Sequence, residues 1–393
     1  MLGTAADLHR WCAAGRPFAV ATVVAVSGSA PRPPGAALAV DADGTAVGSV
    51  SGGCVEADVY LLCQEVLAAG EGAPPLLRRY GYSDDDAFAV GLTCGGELDV
   101  LVQRVDPAAR PELAAAFAAF AAGEVAALTR VVAGPAGLLG RALLVRPDLR
   151  CEGGLGDARL DAAAAERTRA LLAAGRTGTF VIGADGSHCG EPLTLLAESH
   201  AAPPRLLVFG ACDFAAALVP AASLLGYRVT VCDARPAFTT PRRFPGADEV
   251  VVDRPDRYLG AEAAAGRLDA RTAVCVLTHD ARFDVPVLAR ALRLPLGYVG
   301  AMGSRRTHAD RTARLRAAGV PAAALARLRS PIGLDLGART PQETALSITA
   351  EILACRTGAP GTPLTGASAP IHAPGGEPRS PAADRACPHG VLP

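Results

Sequence analysis

Lysine is missing from this sequence altogether: its 38 basic residues are all arginine, set against 39 acidic ones for a formal net charge of -1. Together with Ala-rich segments, this reads as composition bias of the genome and not as a functional device. The near-neutral balance leaves no basic stripe of the kind that tracks a phosphate backbone, so no nucleic-acid partner is expected. The 11 cysteines contain no Cys-x-x-Cys pair and no signal region opens the chain, which points to a reducing, cytoplasmic setting and away from a disulfide scaffold or a zinc ribbon. Long hydrophobic runs are absent too. Stretches such as Leu113 to Ala122 are too short and too Ala-rich to span a bilayer, so no membrane association is expected. At 393 residues the chain is too long for one ordinary core, and two or three domains follow.

What is present is concentrated around two cysteines with paired glycines beside them. Ser51-Gly52-Gly53-Cys54 precedes a run with apolar residues at Val55, Val59, Leu62, Val66 and Leu67, the spacing of an amphipathic helix. Thr93-Cys94-Gly95-Gly96 precedes a strand predicted over Glu97 to Val105. Glycine lets backbone approach a ligand closely, and a thiol at a helix start feels the dipole that favours the thiolate, the nucleophilic and metal-binding form. Upstream, a helix is expected from Thr4, then strands Phe18 to Val26, Ala36 to Val40 and Thr45 to Val50, with Ser29, Pro31, Arg32 and Gly35 in the first loop. The acidic run Asp84 to Asp86 reads as a solvated turn. Residues 106–200 read as a connecting α/β layer in which helices Pro111 to Ala122 and Asp161 to Ala173 alternate with strands near Val125 to Val132, Arg141 to Val145 and Thr179 to Ile182, and whose Pro135, Pro147, Gly153 and Gly154 mark loops. Its adjacent His188 and Cys189 lack a partner pair and read as loop residues.

From Arg205 the pattern becomes strand, tight turn, helix, strand. Strand Leu206 to Phe209 ends at Gly210, helix Phe214 to Leu225 ends at Gly226, and strand Arg228 to Cys232 ends at Asp233, the spacing of a ribose-binding carboxylate. Cys212 stands where a second glycine would admit a pyrophosphate. Further strands at Glu249 to Val252, Ala273 to Leu277 and Leu296 to Val299 alternate with helices, giving a Rossmann-like doubly wound parallel sheet. Three polar clusters fall at strand ends: Thr278-His279-Asp280 with Asp284, the Gly300 to Arg306 turn carrying Gly303, Ser304 and Arg305, and Pro331 to Gly337. The middle cluster suits a phosphate or carboxylate at a helix start. Thr340-Pro341-Gln342-Glu343 is a capping box. Beyond Gly358 the Pro, Gly, Ala and Ser content reads as a disordered tail over 359–393, in which Cys387 and His389 are incidental.

Taken together, these stretches resemble the XdhC/CoxI family of accessory proteins for molybdenum hydroxylases. The resemblance rests on Gly28-Ser29-Ala30-Pro31-Arg32, Ser51 to Glu56, Gly91 to Gly96, Thr278-His279-Asp280, Gly300 to Arg306 and Pro331 to Ala338. One departure is that the family usually has Gly-Ala-Gly-His where this chain has Gly210-Ala211-Cys212-Asp213. The resemblance implies a family N-terminal domain over 1–105 and a Rossmann-like domain over 201–358. It implies a chaperone, not an enzyme, that binds molybdenum cofactor (molybdopterin), shields it during sulfuration with a cysteine desulfurase, and delivers it to the large subunit of an apo xanthine dehydrogenase or CO dehydrogenase. A homodimer is a further implication. Cys54 and Cys94 would meet the thiophilic molybdenum or hold a persulfide. Arg32, Ser51, Gly52, Gly53, Gly95, Gly96, Gly210, Asp233, His279, Gly303, Ser304 and Arg305 complete the implied cofactor site. The alternative is an NAD(P)-dependent oxidoreductase, with Asp233 on the ribose, Arg235 on a 2′-phosphate and His279 as acid/base. A zinc hydrolase would need three convergent ligands, and no local His/Glu motif supplies them.

Overall fold

The structure, a computed structural model, describes residues 1–28, 32–81, 96–187 and 190–365. Ser29, Pro31, the acidic run Asp84 to Asp86, Cys94, Gly95, His188, Cys189 and residues 366–393 lie outside the described residues. The described residues divide into two compact units, one over 1–202 and the other over 203–365.

The first unit opens with α1 (Ala5–Ala13), β1 (Phe18–Ser27), β2 (Ala37–Asp41), β3 (Ala46–Gly48), α2 (Glu56–Ala68), β4 (Leu76–Tyr80) and β5 (Glu97–Val105). It continues with α3 (Pro111–Ala121), β6 (Ala126–Ala133), β7 (Ala142–Val145), β8 (Cys151–Gly154), α4 (Ala158–Ala173), β9 (Gly178–Gly183) and β10 (Pro192–His200). The two series are the same: helix, three strands, helix, two strands. Each forms an antiparallel five-stranded sheet among the described residues, in the orders β3-β2-β1-β5-β4 and β8-β7-β6-β10-β9. Register makes the match residue by residue. Leu38 pairs with Gly48 and Leu143 with Gly153. These two glycines have φ of 86° and 88°, and a Cβ on them would stand 2.1 Å from the Ala37 carbonyl oxygen and 2.6 Å from that of Ala142. Only glycine fits either place. Gly153, expected in a loop, is thus an edge-strand residue.

The repeats face each other around a shared core of Leu8, Phe18, Val20, Phe117, Leu128 and Leu144. Their contacts are reciprocal, as in a two-fold dimer. A Cβ on Gly35 would meet Thr177 and Glu198, and one on its counterpart Gly140 would meet Pro75 and Gln103, the counterparts of those two residues. Between the sheets the fully buried Arg130 donates to Thr22 at 2.9 Å and to Glu198 at 2.8 Å.

The second unit comprises β11 (Arg205–Phe209), α5 (Asp213–Leu224), β12 (Arg228–Asp233), β13 (Glu249–Val252), α6 (Pro255–Ala264), β14 (Ala273–Val276), α7 (Ala281–Ala291), β15 (Tyr298–Ala301), α8 (Arg305–Ala317), α9 (Ala322–Leu325), β16 (Leu328–Arg329) and α10 (Pro341–Thr357). All its strand pairs are parallel, in the order β13-β12-β11-β14-β15-β16. The order reverses between β11 and β14, the switch point at which doubly wound sheets bind ligands. Alternating β11 residues fill the two layers: Leu206 and Val208 pack with Leu218 of α5 and Ile348 of α10, while Leu207 and Phe209 pack with Leu259 of α6 and Leu288 of α7. The α/β class, an α+β unit followed by a Rossmann-like parallel sheet, is therefore the one the sequence predicts; the second antiparallel sheet stands where a connecting α/β layer is expected. Helix α10 starts on its capping box, with Thr340 accepting from the Glu343 amide and Glu343 from that of Thr340.

Candidate functional site

Register places three loops of the first repeat at one end of its sheet. Thr22 pairs with Ala37, Leu38 with Gly48, Ser27 with Glu97 and Tyr80 with Leu98. Hence β1, β3 and β4 end, and β2 and β5 begin, at that end, and the described residues next to it include Arg32, Ser51 to Cys54, and Gly96. Arg32 is exposed and Gly96 is buried. Helix α2 begins at Glu56 with Val55 as N-cap, so Cys54 precedes the helix instead of opening it. Gly52 and Gly53 turn the chain with φ of 80° and 124°, and among the described residues, chain neighbours aside, no atom lies within 4 Å of where their Cβ atoms would be. Cys54 beside them is half-buried.

What shapes this loop is Glu56. Its carboxylate accepts from the Ser49 hydroxyl at 2.7 Å, the Ser51 and Gly52 amides at 2.8 Å each, the Gly53 amide at 2.7 Å, and the Ser51 hydroxyl. The Ser51 oxygen in turn accepts from the amides of Cys54 at 2.9 Å and Val55 at 3.0 Å. Burial alone would raise the Glu56 carboxyl, but the hydrogen bonds from Ser51, Ser49 and Gly53 outweigh it and hold the group at about 2. On the buried face of α2, burial pushes the Cys63 thiol up to about 12.

In the second unit the nominated residues make mostly internal bonds. A Cβ on Gly210 (φ 120°) would lie 2.9 Å from the Thr278 amide, so this glycine lets two loops meet. Cys212 caps α5, and burial raises its thiol against the opposing hydrogen bonds from the Ala215 and Phe214 amides. Asp233 is 3% exposed and accepts from the Ala211 amide at 2.8 Å, the Arg235 amide at 2.9 Å and the Arg235 guanidinium at 2.8 Å. The carboxylate that spacing assigns to a ribose is thus engaged by its own chain. His279 is exposed, and Asp280 caps α7. Gly303 has φ of 150°, Ser304 caps α8 through the Thr307 amide at 3.1 Å, and Arg305 is exposed with no ion pair among the described residues.

One buried pair ties these strand-end loops together. Arg311 of α8 donates to Asp284 of α7 at 2.9 Å, to the Met302 carbonyl at 2.8 Å and to Ser330 at 3.2 Å, while Thr278 donates to the same carboxylate. Arg311 and Glu56 hold the two sets of loops, and sequence reasoning assigned neither that role. Arg311 has no signal beyond its place in a polar helix, whereas Glu56 stands inside the quoted Ser51 to Glu56 motif. An open groove between α5 and α10, lined by Ala217, Pro220, Ala221, Pro341 and Leu346, contains none of the nominated residues.

The sequence of residues 206–352 matches the XdhC Rossmann domain, and residues 11–81 and 119–183 match the XdhC and CoxI family. The chain belongs to the XdhC/CoxI family. The two stretches matched in the N-terminal unit run from the end of α1 to β4 and from the end of α3 to β9, the same elements in each repeat. Among relatives, the chain is 29% identical over 339 residues to a probable xanthine dehydrogenase subunit of Bacillus subtilis, covering 86% of this chain and 92% of that one. It is 28% identical over 342 residues to the molybdenum cofactor insertion chaperone PaoD of Escherichia coli, covering 87% and 84%. A crystal structure of a Bacillus halodurans protein described as a xanthine dehydrogenase superposes with a TM-score of 0.61 at 27% identity, covering 89% of this chain and 95% of that one. Among the described residues no group of three or more metal-ligating side chains occurs, and no helix is long and apolar enough to cross a membrane.

Proposed function

We propose that this XdhC/CoxI protein carries molybdenum cofactor as cargo, with Cys54 as a sulfur ligand to the metal, and passes it to an apo molybdenum hydroxylase of the xanthine dehydrogenase or CO dehydrogenase type. The observation that carries the reading is the Ser51–Cys54 loop, in which a half-buried thiol stands beside two glycines whose side-chain space no other described residue fills. A soft, dithiolene-bound metal favours such a ligand. The relative PaoD, named for cofactor insertion, supports the cargo. Cys94 is proposed as the second sulfur on the strength of the family resemblance of its Gly91 to Gly96 motif. The Ser51, Gly52 and Gly53 amides already serve Glu56, so the pterin phosphate is assigned to the guanidinium of Arg32; Arg305, beside Gly303 and Ser304, is proposed separately as an anion-binding residue of the second unit. Shielding during sulfuration by a cysteine desulfurase belongs to the same proposal, as does a chaperone role without turnover of its own.

The test is to load purified protein with released cofactor, remove the excess, and add apo-hydroxylase. Molybdenum retention and the hydroxylase activity recovered are then measured for the parent, Cys54→Ser, Cys94→Ser, Arg32→Ala and Arg305→Ala. Loss of retention in Cys54→Ser with an unchanged melting temperature supports the reading. Parent-like retention in the Cys54→Ser/Cys94→Ser double variant refutes it.

A further inference from the structure

The internal repeat provides a control for the Ser51–Cys54 loop within the same molecule. Counting from Gly48 and Gly153, the two copies run without a gap through α2 and α4. Val50 and Leu155 are both buried, as are Val55 and Leu160. Cys54 then corresponds to Arg159 and Glu56 to Asp161. In the second copy the segment is helical from Ala158, with Asp157 as N-cap accepting from the amides of Arg159 and Leu160. Asp161 takes up one loop amide, that of Leu155 at 2.6 Å. In the first copy the equivalent residues Gly53 to Val55 lie off the helix, and Glu56 gathers three backbone amides and two hydroxyls. Where the second copy has Gly154, Gly156, the capping Asp157, Ala158 and Asp161, the first has Ser49, Ser51, Gly52, Gly53 and the longer Glu56, and these changes separate a plain helix start from the loop that carries Cys54.

We propose that Glu56 is the positioning residue for Cys54: its carboxylate acts as an internal anion in the nest of amides at Ser51, Gly52 and Gly53, holding that segment off α2 and so fixing where the sulfur stands. Successive amides converging on one point form an anion site, and here the chain supplies the anion itself, at the end of a helix whose dipole favours negative charge. The functional consequence rests on the proposed role of Cys54 as cofactor ligand; the positional one does not.

Alkylation of Cys54 by iodoacetamide, followed by peptide mass spectrometry in cofactor-free protein, reads the position directly. Glu56→Ala should raise the rate at least fivefold as the half-buried thiol becomes exposed. Formate at about 0.1 M, refilling the nest, should return the rate toward that of the parent, and Glu56→Gln should fall between them. Asp161→Ala, the control in the other repeat, should leave Cys54 unchanged. A Glu56→Ala rate within twofold of the parent, or no response to formate, overturns the proposal. Should Glu56→Ala fail to fold, Glu56→Gln and amide hydrogen exchange of the unmodified protein decide instead: the Gly52 and Gly53 amides must be protected although both residues are exposed, and free exchange at both overturns the idea. Molybdenum retention is measured separately. A variant with altered alkylation and parent-like retention keeps the positioning role and removes Cys54 as the ligand.

Discussion

Arg311→Met is the most informative perturbation of the Rossmann-like unit. It removes the cation that joins α8 to α7 and to the loops after β15 and β16, leaving Asp284 buried with Thr278 as its remaining donor. The side chains of Arg311 and Asp284 are 3% and 5% exposed, so solvent cannot replace the lost partner. Breaking a buried pair from one side costs about 3–5 kcal/mol. For a unit of this size that corresponds to a fall of roughly 6–20 °C in its melting transition. Burial already raises the Asp284 carboxyl in spite of the hydrogen bonds from Thr278 and Arg311, so the unpaired carboxylate is the costly product. Accordingly, Asp284→Leu/Arg311→Met should be more stable, by about 1–3 kcal/mol, than the sum of the two single changes predicts. Urea denaturation followed by far-ultraviolet circular dichroism measures all three variants. The single tryptophan, Trp11, lies in the first unit, so its fluorescence tells whether damage has spread there. A single-variant loss below about 1 kcal/mol, or a double variant as damaged as the sum, would refute the argument that an orphaned buried charge dominates.

Other outcomes follow from individual residues. Gly48→Ala and Gly153→Ala, which force a Cβ onto a carbonyl at positive φ, should each cost well above the about 1–2 kcal/mol of left-handed backbone alone, and open-sited Gly15→Ala about that amount; urea midpoints compare them. Because the folded Glu56 carboxyl is held at about 2, below its ordinary 4.5, its stabilisation is present above pH 4.5 and lost as pH falls from there toward 2. Glu56→Gln should therefore flatten the melting profile in that window, and an unchanged slope would contradict the hydrogen-bond account. NADPH should bind the parent weakly in titration calorimetry and bind Cys212→Gly more tightly; micromolar affinity in the parent would promote the oxidoreductase alternative. Removing residues 366–393 should leave the melting temperature unchanged, since their composition buries too little apolar surface to offset ordering.

Five of the six strands of the parallel sheet were legible because each is a short apolar run closed by a turn residue, whereas β16, the pair Leu328–Arg329, has no such signal; Thr340 to Glu343 signals its helix by chemistry alone. The second antiparallel sheet was legible only in part: the apolar runs of β6, β7 and β9 signal strands, and β8 and β10 do not. Its edge strand β8 reads Cys-Glu-Gly-Gly, where glycine is required by the partner carbonyl and hides the strand signal. Its long strand β10 follows a loop and was absorbed into a segment read only as alternating. Without both strands, the repeat is invisible: the two copies share a fold and a pair of strained glycines, but the cysteine of one faces arginine in the other. At the site, the motif around Cys54 identified the loop, while the direction of its amides depends on which way the Glu56 side chain turns, and no spacing rule encodes that. Asp233 shows the converse, since its spacing is right for a ribose and its oxygens are already bonded.

A pair of identical chains related by a two-fold axis must display every surface feature twice. Joining the two copies in one polypeptide removes that obligation, and here Cys54 and Arg159 occupy equivalent places with opposite chemistry. The first unit therefore carries a thiol at one of two equivalent places and a guanidinium at the other. If the thiol loop is where cargo rests, each molecule takes one cargo and not two, and a client must approach from the side that holds it.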